Sequence, residues 1–342
     1  MLAAVKTEQK QEIVLQEQPI PHLKEGEVLV QVDYCGVCGS DLHAFHHARG
    51  YEFVPKPIIL GHEISGKVIE TYDSSLNHLK GKNVIVESMH YCNKCENCRK
   101  GRKSICERNQ VIGLHFDGGM AEFVKTNASF IREYPEDLSS QIAALSEPMS
   151  IAVHAVEKAG DINENHTVLI QGPGIIGFCV SLVCIQKRAK VILSGLEKDY
   201  DNRLSKCSVF GITLHVAETG LLDEKADVVF ECSGANAAVQ AGWKHLKKGG
   251  RAVFVALYGQ ETSIYLTELV RNEWPLITSY GCDPKDYERA FTLLKTYEGL
   301  LLEHVVTLYS LSEVDQAFKS GSNQTVLKPV LAINQDRGEM TI

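Results

Sequence analysis

Cys92, Cys95, Cys98 and Cys106 fall within fifteen residues in the pattern C-x2-C-x2-C-x7-C. No other feature limits the fold as much. Four thiolates at that spacing can converge on one tetrahedral Zn²⁺ at about 2.3 Å. The intervening Asn93, Lys94, Glu96, Asn97, Arg99 and Lys100 are polar, so core packing does not explain the cysteines. Two disulfides or a small iron–sulfur cluster are the alternatives left open by the spacing. A zinc with four protein ligands keeps no open coordination position. It would shape a lobe, expected at about 88–110, and the chemistry must lie elsewhere.

The chain has 342 residues, enough for two ordinary domains. Its 44% hydrophobic and 23% charged residues are the balance of a soluble globular protein. A net charge of −8 argues against a nucleic-acid partner and against an anionic membrane surface. No apolar run reaches the ~18–20 residues that span a bilayer. Met1 to Lys6 is followed by polar Glu8, Gln9 and Lys10, so a secretory signal is not expected. Eleven cysteines without such a signal suggest a reducing compartment, and the cytoplasm is the expected location.

Short β-like segments and turn residues fill the chain to about residue 130, including Val28 to Val32, Gly66 to Glu70 and Asn83 to Val86. The character then changes. Ala143 to Ala159 reads as a helix, and His166 to Ile170 as a continuous apolar strand of the kind buried on both faces. Helices are expected at 176–186, 202–210, 237–246 and 287–297, and strands at 190–194, 227–232, 251–256, 275–280 and 326–332. Strands alternating with helices mean βαβ units and a doubly wound parallel sheet. Residues after Asn334 read as a frayed polar end.

Gly172-Pro173-Gly174-Ile175-Ile176-Gly177 fits G-x-G-x-x-G directly after an apolar strand and at the start of a helix. The first glycine allows the tight turn, the second lets backbone approach a pyrophosphate, and the third lets helix and sheet pack closely. The helix N-terminus offers free N–H groups to phosphates. A NAD site usually has an acid at the end of the second strand. Here the strand ends on Gly195, with Glu197 two residues later. Glu197, Asp199 and Asp201 would repel a 2′-phosphate, whereas Lys198 and Arg203 would attract one. The balance leans to NAD.

A second cluster lies upstream. Cys35-Gly36-Val37-Cys38-Gly39-Ser40-Asp41-Leu42-His43 is followed by Gly61-His62-Glu63. Cys38, His62 and Glu63 supply a thiolate, an imidazole and a carboxylate, and a catalytic zinc takes three protein ligands with one position open. On spacing alone, a packed cysteine and a hydrogen-bonded histidine explain the same residues.

The chain resembles the zinc-containing medium-chain alcohol/polyol dehydrogenase family, near its sorbitol and threonine dehydrogenase branch. The resemblance runs nearly full length. It rests on residues 35–43, 61–63, the four-cysteine lobe, D-G-G-M-A-E-F at 117–123, E-P-M-S-I-A-V-H-A at 147–155 and the glycine turn. It implies a GroES-like β-rich catalytic domain at 1–150 and 284–342, with a Rossmann dinucleotide-binding domain at 151–283 inserted. It also implies one catalytic and one structural zinc, with NAD(P) as cofactor. Cys38, His62, Glu63 and Glu147 match the reactive-metal positions, while Ser40 and His43 match a proton relay. An acid at Glu147 favours the polyol branch, since the primary-alcohol enzymes carry Cys there. Tyr280 and Gly281 depart from the Arg-Tyr pair of sorbitol enzymes. The implied reaction interconverts a secondary alcohol and its ketone. The rivals are a threonine-type or short-chain alcohol dehydrogenase and a non-catalytic nucleotide-binding protein. A homodimer or homotetramer is expected, through edge strands near 251–256 and 276–280.

Overall fold

The computed structural model describes residues 1–334, so the polar end expected after Asn334 lies outside the described residues. Thr167–Gln171 is buried along its whole length, as its unbroken apolar run requires. It sits inside a six-stranded sheet in the order Thr213–Val216, Lys190–Gly195, Thr167–Gln171, Ala226–Glu231, Leu246–Phe254, Leu276–Thr278. All five pairings are parallel. The chain winds outward from Thr167–Gln171 in both directions, which opens a crevice at the carboxyl end of that strand.

Four expectations change in detail. The helix expected at 143–159 starts at Ser146 and runs to Lys158, after a separate turn at Ser140–Ala143. Pro148 has no N–H to give to a longer helix and is tolerated only in a first turn. The helix expected at 202–210 is a π turn at Tyr200–Leu204 followed by a 3₁₀ segment at Ser205–Phe210. The helix expected at 287–297 continues past Gly299 to His304. The strand expected at 251–256 is an interior strand, Leu246–Phe254, with neighbours on both sides. It therefore cannot pair with another subunit, and only Leu276–Thr278 remains as an edge on that side.

A seven-stranded sheet forms the other half. Its main path is Ile131–Glu133, Asn83–Val86, Glu63–Thr71, Glu27–Gly36, Lys328–Ala332, Val306–Ser310, and Phe123–Asn127 also pairs with Glu27–Gly36. The register sets Gly36 opposite Glu63 on one side and opposite Val330 on the other. The last described strand thus closes onto the segment that leads into Cys38. Leu2–Lys6 pairs with Ile13–Glu17 and Ile58–Ile59 in a small sheet of its own.

Helix Ser146–Lys158 joins the halves and is buried on nearly every side. One core runs through it, from Tyr34 and Ile85 to Val168, Phe178 and Phe230. A polar knot pins the same junction. His154 Nδ1 lies 2.9 Å from Asp286 Oδ2, and Asp283 Oδ1 accepts the Ser104 N–H at 2.9 Å. The bridging helix, the 283–286 segment and the cysteine lobe therefore share one buried network.

Candidate active site and metal centres

The four lobe sulfurs all lie within 4.8 Å of one another. Cys92 and Cys98 are 4.0 Å apart and Cys95 and Cys106 are 3.9 Å apart. A tetrahedron with Zn–S bonds of ~2.3 Å has edges of about 3.8 Å. A disulfide needs about 2.05 Å, so that alternative falls. Backbone N–H groups of Lys94 and Cys95 point at Cys92 Sγ and depress its pKa to about 6, which favours the thiolate a metal needs. The lobe is held by little else, because its apolar cluster is Tyr91, Cys98, Cys106 and Phe130.

Cys38 caps the short helix Gly39–Phe45. Asp41 is fully buried in the first turn of that helix, and its Oδ2 accepts the Cys38 N–H at 2.9 Å. Its Oδ1 accepts the Gly61 N–H at 3.2 Å and lies 3.5 Å from His62 Nδ1. Gly61 has φ +98°, and a Cβ there would strike Cys35 Sγ and Met120. This turn delivers His62 to Cys38. His62 Nδ1 has no hydrogen-bond partner, so its contact with this carboxylate is one of charge, and Nε2 stays available for a metal. Ser40 Oγ is 3.2 Å from that Nε2. Burial lowers the His62 pKa, but Asp41 and Cys38 outweigh it and hold the ring well above its usual value. The surroundings therefore favour a positive charge, which a proton or a metal ion satisfies.

Glu147 stands in the first turn of the bridging helix. Ser88 Oγ donates to its Oε1 at 3.0 Å, while Oε2 is buried without a hydrogen-bond partner. Burial pushes its pKa up to about 7. Glu63 is fully buried, and its Oε2 pairs with Lys328. Its Oε1 has no hydrogen-bond partner. Burial opposes charge on Lys328, yet Glu63 and Cys38 offset this and keep its pKa raised. A thiol, an imidazole and two carboxylates with unpartnered buried oxygens are a donor set that fits a divalent zinc.

The four do not stand equally close. Among the described residues, only two groups of three or more such donors lie mutually within 4.8 Å: the lobe cysteines, and His154 with Asp283 and Asp286. Glu63 is turned to Lys328 and Glu147 to Ser88, so neither completes a tight triad with Cys38 and His62. His43 is exposed at the rim, its ring 5.1 Å from that of Tyr51. Burial lowers its pKa, with His46 adding to the effect, so it is neutral at pH 7.

The glycine turn has the geometry of a phosphate cradle. Gly172 has φ +102°, and a Cβ there would meet Ser233 at 2.9 Å. A Cβ on Gly177 would lie 2.0 Å from Gly172 O, so helix and turn are in contact. The space over Gly174 is open, with Arg203 Nη1 at its edge 4.0 Å away. Helix Ile175–Gln186 starts there, with Ile175 and Ile176 in its first turn and their N–H groups unclaimed by an earlier turn. Arg203 Nη2 donates to Asp199 Oδ1 at 2.9 Å. Glu197 is exposed beyond the strand end, with its own N–H donating to Glu218 at 3.1 Å. Helix Ile175–Gln186 packs on the bridging helix that carries Glu147, with Cys179 and Met149 in one core, so the nucleotide turn and the metal site face the same junction.

The family model for the alcohol dehydrogenase GroES-like domain matches residues 24–136, and that for zinc-binding dehydrogenase matches residues 176–296. A sorbitol dehydrogenase of Halalkalibacterium halodurans is 31% identical over 97% of this chain and 99% of its own length. The chain belongs to the zinc-containing medium-chain dehydrogenase family. Another relative, a D-arabitol-phosphate dehydrogenase of Enterococcus avium, is 29% identical over 93% of both chains. A candidate zinc-binding dehydrogenase of Sinorhizobium meliloti 1021, solved bound to NADP, superposes with TM-score 0.87 at 25% identity, covering 97% of this chain and 99% of that one. L-idonate 5-dehydrogenase of Escherichia coli shares the fold, with TM-score 0.86 at 24% identity over 97% of each chain. The protein is accordingly a zinc-dependent oxidoreductase that uses NAD(P).

Three residues that shape the site of this medium-chain dehydrogenase are not among the site residues expected from its sequence. Asp41 orients His62, Ser88 fixes Glu147, and Lys328 holds Glu63. Asp41 lay inside a quoted motif and could have been found from its position three residues after Cys38. Ser88 and Lys328 meet their partners only through the tertiary fold.

Proposed function

We propose that this chain oxidises a secondary alcohol of a polyol, sugar alcohol or related hydroxy compound to the ketone, reversibly, with NAD(P). The observation that carries the reading is Cys38 beside His62, with Ser40 Oγ 3.2 Å from His62 Nε2. Cys38, His62, Glu63 and Glu147, the last directly or through water, would hold the reactive zinc, and Cys92, Cys95, Cys98 and Cys106 the structural one. When bound, the zinc lowers the pKa of the substrate hydroxyl and the nicotinamide takes the hydride. Asp41 sets a negative charge 3.5 Å from His62 Nδ1 and so favours the proton on that nitrogen. Ser40 takes the hydroxyl proton and passes it to His43, whose neutral ring at the rim releases it to water. Gly172, Gly174 and Gly177, with the N–H groups of Ile175 and Ile176, receive the pyrophosphate. Glu197 and Arg203 flank the ribose.

Residues 1–150 and 284–342 would form the catalytic unit and 151–283 the nucleotide unit. The Tyr51 phenol, its ring 5.1 Å from that of His43, suits a hydroxyl-rich substrate. The discriminating experiment is turnover of sorbitol, xylitol, threonine and butanediol with both cofactors. A sugar alcohol should give the highest kcat/KM, and activity confined to threonine or butanediol would overturn the reading.

The subunits would pair through the edge strand Leu276–Thr278. Val270, Leu266, Tyr265 and Leu276 are 76%, 68%, 69% and 43% exposed beside it, an apolar patch suited to a second copy of the chain. Val270→Glu should shift the sedimentation coefficient to that of the monomer; a wild type that already sediments as a monomer would refute the pairing. The reduced cysteines fit a cytoplasmic location, which cell fractionation checks.

A further inference from the structure

Four aromatic rings stand in file, starting at His43 on the rim of the proposed site. The His43 ring lies 5.1 Å from that of Tyr51, at 32° between planes. Tyr51 and Phe53 are 5.9 Å apart at 28°, and Phe53 and His115 are 4.7 Å apart at 32°. The file is built into the fold. Ala48 N–H donates to His43 O at 2.9 Å, Tyr51 N–H to Ala48 O at 3.1 Å and Val54 N–H to Tyr51 O at 3.2 Å, so the segment folds back on its helix. Val54 is buried and anchors the segment in the core, against which Tyr51 also packs. Phe53, between them, is 50% exposed. From another part of the chain, His115 is fixed by the Val111 N–H, which donates to its Nδ1 at 3.0 Å.

Polar groups accompany these apolar faces. The Tyr51 hydroxyl makes no hydrogen bond among the described residues, although a half-buried phenol usually has a partner. His115 keeps Nε2 for a ligand once Nδ1 is taken. A pyranose has the matching shape, with C–H groups on its faces and hydroxyls around its edge. An open-chain polyol has no such face, and laying it on Phe53 would strip water from its hydroxyls. A plain aryl ring would stack, but would leave the Tyr51 hydroxyl and His115 Nε2 without partners. We propose that Tyr51, Phe53 and His115 form a subsite for a hydroxylated ring, such as a glucopyranose, carried by the chain that is oxidised. The substrate is then a glycosylated polyol rather than a bare one. This rests on the proposed reading of Cys38 and His62 as the place of oxidation, to which His43 joins the file.

The test compares maltitol, which is sorbitol carrying a glucopyranose, with sorbitol itself and with 1-phenylethanol, on the intact zinc-loaded enzyme. Wild-type kcat/KM for maltitol should exceed that for sorbitol by about tenfold, the upper weight of one well-stacked ring. The gain should lie in KM, because the ring is remote from the reacting carbon. In Phe53→Ala the maltitol-to-sorbitol ratio should fall to about one, and Phe53→Tyr should keep it. If Phe53→Ala does not fold, Phe53→Leu, apolar but without a ring, takes its place with the same expectation. A wild type that gains nothing from the added ring would overturn the subsite. So would a ratio that Phe53→Ala leaves unchanged while the sedimentation coefficient shifts, which is what a subunit contact gives. Phe53→Ala that costs 1-phenylethanol as much as maltitol would mean an aryl pocket, and the hydroxylated ring falls. Turnover of neither sugar alcohol would instead sink the underlying reading of the site, and the subsite with it.

Discussion

Cys38→Ser should lower kcat/KM by at least about a thousandfold, roughly 4 kcal/mol of transition-state stabilisation, with the fold intact. The reason is specific to this residue. Cys38 is half-buried at the start of a helix, and its thiol is not part of a hydrophobic cluster. The change to Ser removes the soft ligand and little packing. Metal content should fall from two zincs per chain to one, and the melting temperature should barely move. Smaller losses are expected from the residues that only move the proton. Ser40→Ala should cost about a hundredfold, near the lower end of general acid–base contributions, and His43→Ala about tenfold, since water reaches the rim and can replace it. Both variants should retain two zincs. Equal losses in all three, or a Cys38→Ser protein that still turns over, would contradict the assignment.

Cys98→Ser should do the opposite, sparing chemistry at first and loosening the fold. Cys98 is buried in a lobe whose helical turns, Glu96–Arg99 and Lys103–Ile105, are four and three residues long. Such short turns do not hold themselves. A structural zinc in small domains is worth about 10–16 kcal/mol of folding free energy, far beyond what the two non-ligand side chains of the lobe's apolar cluster, Tyr91 and Phe130, supply there. Loss of one ligand should open the lobe, and limited proteolysis should cut within about 88–110. The effect should spread, because Ser104 in the lobe is bonded to Asp283 in the junction knot with His154 and Asp286. The melting temperature should drop by several degrees while the reactive zinc stays bound in the surviving fold. Unchanged melting and an uncut lobe would refute a structural role for these thiolates.

The parts of this protein legible in its sequence are those where one local pattern has one physical solution. The apolar run before Gly172 can only be a buried strand, and three glycines in that spacing answer three steric demands, two of which are seen at Gly172 and Gly177. The cysteine spacing favoured one convergent tetrahedral site over two disulfides, and the sulfurs converge. Less was legible where long-range packing decides. Residues 200–210 have helical composition, yet Asp199 draws Leu196 N–H and Arg203 together and the segment winds as a wide π turn and then a tighter 3₁₀ one instead. The strand at 246–254 begins earlier than its β-branched run because it pairs from Leu246 with Ala226. At the site, Glu63 reads as a ligand beside His62, but the partner that holds its carboxylate arrives from the far end of the chain as Lys328.

The central claim is that a metal ion sits between Cys38 and His62 beside the nicotinamide cofactor. Anomalous scattering at the zinc edge from crystals grown with NAD(P) tests it directly. Two peaks are predicted, one inside the four lobe sulfurs and one within bonding distance of Cys38 Sγ and His62 Nε2. A single peak in the lobe, or a second peak at His154, Asp283 and Asp286 instead, would contradict it.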